Sequence, residues 1–334
     1  MRFLITGTAG FIGFHLARRL LGDAHAVVGI DGITPYYDQT LKRRRHENLA
    51  HFPQFAAEEL MLEDAGRLAH CIAEASPDIV IHLAAQAGVR YSVENPRAYI
   101  DSNIVGTFNL LEALRRQPCR HLLVASTSSV YGANPQQPFE ESHRTDHPLS
   151  LYAATKKATE AMTHSYAHMH GLATTVMRLF TVYGPWGRPD MALFKFTRGI
   201  IEGTPIEVYG AGKMTRDFTY VDDVVEAICR LAERAPQRRN AQAADDPTTS
   251  ANGPYRVVNI GGGQPIGLED FIATIESAVG RKAIRNDLPM QPGDVPATWA
   301  NAVRLEQLIG FKPKTALADG VRAFVAWYRD YYRV

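Results

Sequence analysis

Apolar runs recur along the chain, and the stretches between them carry helical spacing. Arg2–Thr6 is a short apolar run that breaks into glycines, and residues 14–21 follow with apolar positions on one helical face. "HAVVGID" (25–31), "DIVIHLAA" (78–85), "HLLVASTSS" (121–129) and "ATTVMRLF" (173–180) continue the series. Runs of Val, Ile and Leu without strict alternation predict strands covered on both faces. Long helical segments lie between them, notably 96–116 and 151–171. That order predicts an α/β protein built on a Rossmann-like, doubly wound parallel sheet.

After about residue 180 the pattern changes. "TVYGPWGRPDM" (181–191) is rich in Gly and Pro, and the later segments are shorter and more mixed. The expected division is a dinucleotide-binding domain over 1–180 and a smaller substrate-binding domain over 181–334, with segments near 215–232 and 256–262 returning to the first. Residues 233–255 are polar and without period, which predicts a surface loop.

Composition narrows the class without naming a reaction. A formal charge of +1 gives no basic field for nucleic acid or an anionic membrane. Cys71, Cys119 and Cys229 are scattered and odd in number, which suits a reducing compartment better than a disulfide framework. The start "MRFLITG" does not read as a secretory signal, and no apolar run approaches the roughly 18–20 residues of a membrane span. A cytoplasmic globular protein is expected.

Chemistry enters with the first glycines. Gly7, Gly10 and Gly13 in "TGTAGFIG" fall between the first strand and the first helix, where backbone N–H groups and a helix N-terminus can approach a pyrophosphate. No Gly-Lys-Ser/Thr follows, against a P-loop. Asp31 ends the second strand, placed to bind ribose hydroxyls and to repel a 2′-phosphate, so NAD is expected rather than NADP. "YAATK" then sets Tyr152 and Lys156 four residues apart on one helix face. A Lys ammonium beside a phenol is expected to lower its pKa and make Tyr152 a general base.

Together "TGTAGFIG", "HLAAQAGV", "ASTSSVYG", "YAATK" and "RDFTYVDDVVEAI" resemble, in order and over nearly the whole chain, the extended short-chain dehydrogenase/reductases, particularly the nucleotide-sugar epimerases and dehydratases. The resemblance implies tightly held NAD, lined by Gly7, Gly10, Phe11, Ile12, Gly13, Asp31, Leu62, Ala84, Ala85 and Gln86. It makes Thr127 the hydroxyl on the reacting sugar oxygen, Tyr152 the acid/base, and Lys156 the group that orients Tyr152 and the nicotinamide ribose. Relatives that eliminate water carry Asp-Glu after that Thr, and relatives that decarboxylate carry Glu two positions after it; Ser128 and Ser129 stand at these positions. What remains is oxidation at C4, turning of the 4-keto sugar, and reduction from the other face.

The run "FTVYGPWGRPDM" is similar to that of members acting on UDP-linked uronic acids, with "RYSVENP" and "DHPLSLYAATKKA" alongside. It implies C4 epimerisation of UDP-glucuronate, with Thr181 and Arg188 on the sugar carboxylate and Arg90, Ser128 and Ser129 nearby. Arg216 would bind the diphosphate, and Asp294 and Gln291 would lie toward the uridine. The adenine-binding acid expected after the third strand aligns with Met61, so Asp64 or the backbone around Leu62 must substitute. A decarboxylase, another UDP-hexose 4-epimerase and a non-catalytic NAD-binding module remain alternatives.

Two further features are set aside. His164 and His168 have metal-ligand spacing but no third ligand, so solvated helix residues and no metal are expected. "LKRRRHE" (41–47) reads as a solvated basic helix. Apolar stripes over 103–114 and 152–169 exceed what contact with the strands requires, and by the resemblance such helices pair in a homodimer.

Overall fold

The computed structural model describes residues 1–238, 249–290 and 295–334. Its largest sheet has seven strands: β1 (Arg2–Thr6), β2 (Ala26–Asp31), β3 (Phe55–Glu59), β4 (Ile79–His82), β5 (His121–Thr127), β6 (Thr174–Leu179) and β10 (Tyr255–Ile260). They run in the order β10-β6-β5-β4-β1-β2-β3, all parallel, and the order reverses between β1 and β4. A parallel sheet of this kind opens a crevice at the carboxyl ends of its strands beside that reversal.

Four strands, β7 (Thr181–Tyr183), β9 (Thr215–Tyr220), β11 (Pro265–Gly267) and β13 (Ala297–Thr298), form a second sheet, and β8 (Ile206–Tyr209) pairs with β12 (Arg285–Leu288). Of the segments expected to return to the first domain, Tyr255–Ile260 adds to the edge of the large sheet beside β6, and residues 221–232 pack on one face of that sheet. Thr215–Tyr220 instead pairs with β7, β11 and β13.

Helices cover both faces of the large sheet. On one lie α1 (Phe11–Gly22), the end of α2 (Gln39–Leu49), α9 (Val221–Ala232) and α11 (Val303–Ile309), which bury Phe14, Leu16, Leu49, Ile228 and Leu305. On the other lie α3 (Ala65–Ala75), α6 (Gly106–Arg116) and α7 (Leu151–His170), burying Leu68, Leu111 and Ala167. The short α4 (Tyr91–Glu94) and α5 (Pro96–Tyr99) lead through a π-helical turn (Ile100–Val105) into α6. A third apolar cluster joins α8 (Ala192–Glu202), α10 (Leu268–Val279) and α12 (Leu317–Tyr332) around Phe271 and Phe324.

Two expectations change. The basic run in α2 is only partly solvated: Arg43 and Arg44 are exposed, but Lys42 is only 6% exposed and Arg45 is fully buried. Arg45 reaches the carbonyl of Ala9 (2.6 Å) and the Tyr37 hydroxyl with Nη1, and the carbonyl of Trp186 (2.6 Å) with Nη2. His164 and His168 are not merely solvated either: they hydrogen bond to the Ser250 hydroxyl and the Asn252 carbonyl. Of the expected 233–255 loop, residues 239–248 lie outside the described residues.

Candidate active site

One cleft of about 1100 Å³ runs along the carboxyl edge of the large sheet and continues toward α8 and β8. At one end Gly7 turns with φ +87°, and its amide accepts no side chain above it: an added Cβ would lie 2.8 Å from the Ala84 nitrogen. A Cβ on Gly13 would lie 2.0 Å from the Gly7 carbonyl oxygen. Helix α1 begins at Gly10 with no side-chain cap, so its first amides face the cleft unsatisfied. This bare, positively polarised turn fits a dinucleotide pyrophosphate.

Asp31 lies beside it. One carboxylate oxygen accepts from the Ala9 amide (2.9 Å) and the other from Ile33 (2.8 Å), which fixes the group while leaving acceptor capacity toward the cleft. Lys42 also lines this end, with its ammonium on the Thr34 carbonyl (2.7 Å). Burial pushes it down to about 8, opposed by Asp31. Leu62 and Met61 form the wall after β3. Asp64 does not take the place of the missing acid, because its side chain caps α3 on the Arg67 amide (3.0 Å).

Ala84, Ala85 and Gln86 follow β4 along the floor. Asn103, on the π-helical turn, fixes them: it accepts from the Gln86 amide (2.8 Å) and donates to the Gln86 carbonyl and to Thr155 of α7. Helix α7 and the loop after β4 along the cleft floor are thereby held in one network.

The reacting end sits where β5 stops and α7 starts. Ser150 caps α7 on the Ala153 amide (3.1 Å), which sets Tyr152 and Lys156 toward the cleft. Thr127 ends β5 and shares a 3.2 Å hydroxyl contact with Ser129. Just behind it the Ser126 hydroxyl donates to Glu160 (2.6 Å), whose carboxylate also takes two bonds from Arg178. This buried pair sits one turn beyond Lys156.

Burial raises the Tyr152 phenol above its ordinary range, while the Thr127 hydroxyl and Arg188 pull it down. The expected lowering by Lys156 is not among these influences, which corrects that reading. Burial likewise brings Lys156 down to about 8, against the pull of Glu160. Burial outweighs the helix-face pairing here.

Arg90, Ser128, Thr181 and Arg188 line the same cleft, together with Phe11 and Ile12. Arg216 does not: its guanidinium donates to the carbonyls of Thr215 and Pro296. Gln291 and Asp294 lie outside the described residues. Three lining residues escaped the sequence reading. Lys195 stands in the first turn of α8 with no hydrogen-bond or ion-pair partner among the described residues. Asp190 accepts from Arg188 Nε (3.0 Å) and Nη2 (2.5 Å), and Tyr36 donates to the same Asp190 (3.0 Å).

The family model for the NAD dependent epimerase/dehydratase family matches residues 3–245. The chain belongs to that family. Among relatives of this epimerase/dehydratase, a probable UDP-glucuronate 4-epimerase of Rhizobium meliloti (strain 1021) is 57% identical, covering 100% of this chain and 98% of that protein. UDP-glucuronate 4-epimerase 1 of Arabidopsis thaliana is 45% identical over 98% of this chain and 77% of its own length. Among solved structures, a UDP-glucuronic acid 4-epimerase from Bacillus cereus, in complex with UDP-glucuronic acid and NAD, superposes with a TM-score of 0.88. It is 32% identical, and the match covers 99% of this chain and 100% of that one. The glycine cradle and Asp31 of this family member suit the cofactor that gives the family its name.

Proposed function

We propose that this protein interconverts UDP-glucuronate and UDP-galacturonate by inverting C4 of the sugar. The observation that carries the reading is that Tyr152, Thr127, Arg188 and Thr181 line one cleft while serines occupy positions 128 and 129. The names of the similar proteins from Rhizobium meliloti, Arabidopsis thaliana and Bacillus cereus support it.

NAD, held tightly by the glycine turn and Asp31, supplies the hydride acceptor when bound. Tyr152 takes the C4 hydroxyl proton as C4 gives up its hydride, leaving a ketone, and returns a proton when hydride comes back to the opposite face. Lys156 holds the phenol and the nicotinamide ribose in place. Thr127 hydrogen bonds the reacting oxygen. Neither Ser128 nor Ser129 can act as the carboxylate that elimination requires.

Oxidation at C4 makes a β-keto acid, which readily loses carbon dioxide. Arg188 and Thr181 counter this by holding the carboxylate away from the geometry of C–C cleavage and stabilising its charge. We assign the nucleotide end to Lys195, which lines the cleft, and by the sequence resemblance to Arg216, Gln291 and Asp294; Arg216 would have to leave the Thr215 and Pro296 carbonyls to reach it. Ile100, Val105 and Phe108, exposed beside and on α6, and Met169 at the end of α7 support a homodimer through these helices. No helix among the described residues is long and apolar enough to cross a membrane. The three free cysteines suit the cytoplasm.

Purified protein given UDP-glucuronate and no added cofactor is expected to yield a nucleotide sugar of unchanged mass and new retention time. A product lighter by one carbon dioxide would assign decarboxylation instead, and no turnover even with NAD would return the binding module to consideration. Arg188→Ala is expected to raise KM and the share of UDP-pentose. Unchanged affinity and product ratio would remove Arg188 from the carboxylate site.

A further inference from the structure

Arg188 is already engaged by a carboxylate. Its Nε and Nη2 grip both oxygens of Asp190, two residues further along the chain, in a bidentate pair. Tyr36, on the loop after β2, donates to the same carboxylate (3.0 Å), and the Arg188 guanidinium lies 5.8 Å from the Tyr36 ring centroid. All three side chains line the cleft, and Arg188 and Asp190 are 22% and 28% exposed. The fork that could take a sugar carboxylate with two parallel bonds therefore has one edge occupied. Nη1 makes no bond to Asp190, and an incoming carboxylate meets the negative charge of Asp190 on the far side of the same guanidinium.

We propose that Asp190, fixed by Tyr36, is an internal competitor for Arg188 that limits how firmly a sugar carboxylate is held, so that the 4-keto sugar can turn between hydride removal and return. The inference rests on the uronic-acid reading above. Epimerisation sets two opposed demands on this arginine. It must hold the carboxylate well enough to prevent loss of carbon dioxide, yet a full fork on one face would pin the ring in the orientation in which it was oxidised. A guanidinium shared with Asp190 offers a one-edged, partly neutralised contact that meets both. Asp190 is thus a positioning residue acting through Arg188, and the Tyr36 hydrogen bond holds its carboxylate in place on the guanidinium.

The test compares wild type, Asp190→Asn and Tyr36→Phe as NAD-loaded protein, with UDP-glucuronate and UDP-glucose. Asp190→Asn removes the competing charge, so KM and Kd for UDP-glucuronate are expected to fall about tenfold, consistent with one like charge a few ångströms away in a partly wetted cleft. kcat is expected to fall with them, while Kd for UDP-glucose, which has no carboxylate, stays unchanged. Tyr36→Phe, which keeps the charge but frees it to move, should shift the same quantities in the same direction by less. Equal changes for both ligands, or a higher KM for UDP-glucuronate, would overturn the proposal and leave Asp190 as a loop brace. Should wild type not turn over UDP-glucuronate at all, the functional reading fails separately. The selective tightening of UDP-glucuronate in Asp190→Asn, read by calorimetry, then still decides the role of Asp190.

Discussion

Tyr152→Phe is expected to lower kcat by about 10²–10⁴-fold while the protein keeps its fold and its cofactor. The substitution removes only the hydroxyl. Tyr152 Oη makes no hydrogen bond that holds α7 together; the helix start is set by Ser150 on the Ala153 amide, and the helix is tied to the cofactor floor through Thr155 and Asn103. The lost function is the proton transfer at C4, for which no second acid or base stands at positions 128 and 129. The phenol's starting point also fixes the pH behaviour. Burial raises Tyr152, so its proton is held to higher pH than that of an ordinary tyrosine. The active phenolate therefore gains as pH rises, and a positive nicotinamide nearby moves that gain to lower pH. Rates of NAD-loaded wild type should rise with pH along an acid limb, and the Tyr152→Phe residual rate should lack that limb. A variant retaining most of the wild-type kcat would assign the proton transfer to another group.

Gly13→Ala is expected to strip the cofactor from the purified protein and, with it, the activity. A methyl group there would lie 2.0 Å from the Gly7 carbonyl oxygen and 3.1 Å from the Thr8 Cα, both backbone, so no side chain can move aside. Either the turn opens or α1 shifts off the sheet, and both displace the amides that face the pyrophosphate. Gly22→Ala, at the far end of the same helix, meets nothing within 4 Å and serves as the control. Cofactor released on acid denaturation, measured per chain, should be near zero for Gly13→Ala and like wild type for Gly22→Ala. Full retention in Gly13→Ala would place the pyrophosphate away from this turn.

The sheet was readable because its central strands are buried on both faces: β4, β5 and β6 are apolar runs with every residue buried. β3 escaped because it is an edge strand, with Ala56 to Glu59 exposed, and so carries no alternation to read. At the site, Gly7, Gly13, Asp31, Tyr152 and Lys156 were legible because each sits at a fixed offset from a predictable strand or helix. Tyr36 and Asp190 were not. They lie on two loops 154 positions apart, and only the fold brings phenol and carboxylate to 3.0 Å. Lys42 and Arg45 were misread for a different reason. Helical period sorts residues by polarity, and a polar side that faces a cleft looks the same as one that faces water. The pKa of Tyr152 was misjudged because spacing on a helix conveys neighbours but not desolvation.

The burial of that basic run changes what the outside of the molecule presents. Of the consecutive cations Lys42 to Arg45, Lys42 and Arg45 are buried. Arg43 is paired with Glu59 (3.1 Å), and Arg44 lies 3.9 Å from Glu47. A cation-exchange surface or a polyanion would therefore find little uncompensated positive charge at the most basic stretch of the sequence. The two inward cations are instead spent on the protein's own oxygens: Lys42, in the cleft lining, on the Thr34 carbonyl, and Arg45 on the carbonyls of Ala9 and Trp186. The formal count of +1 thus conceals where its charges stand, with the exterior at α2 paired and the buried cations acting as braces between segments.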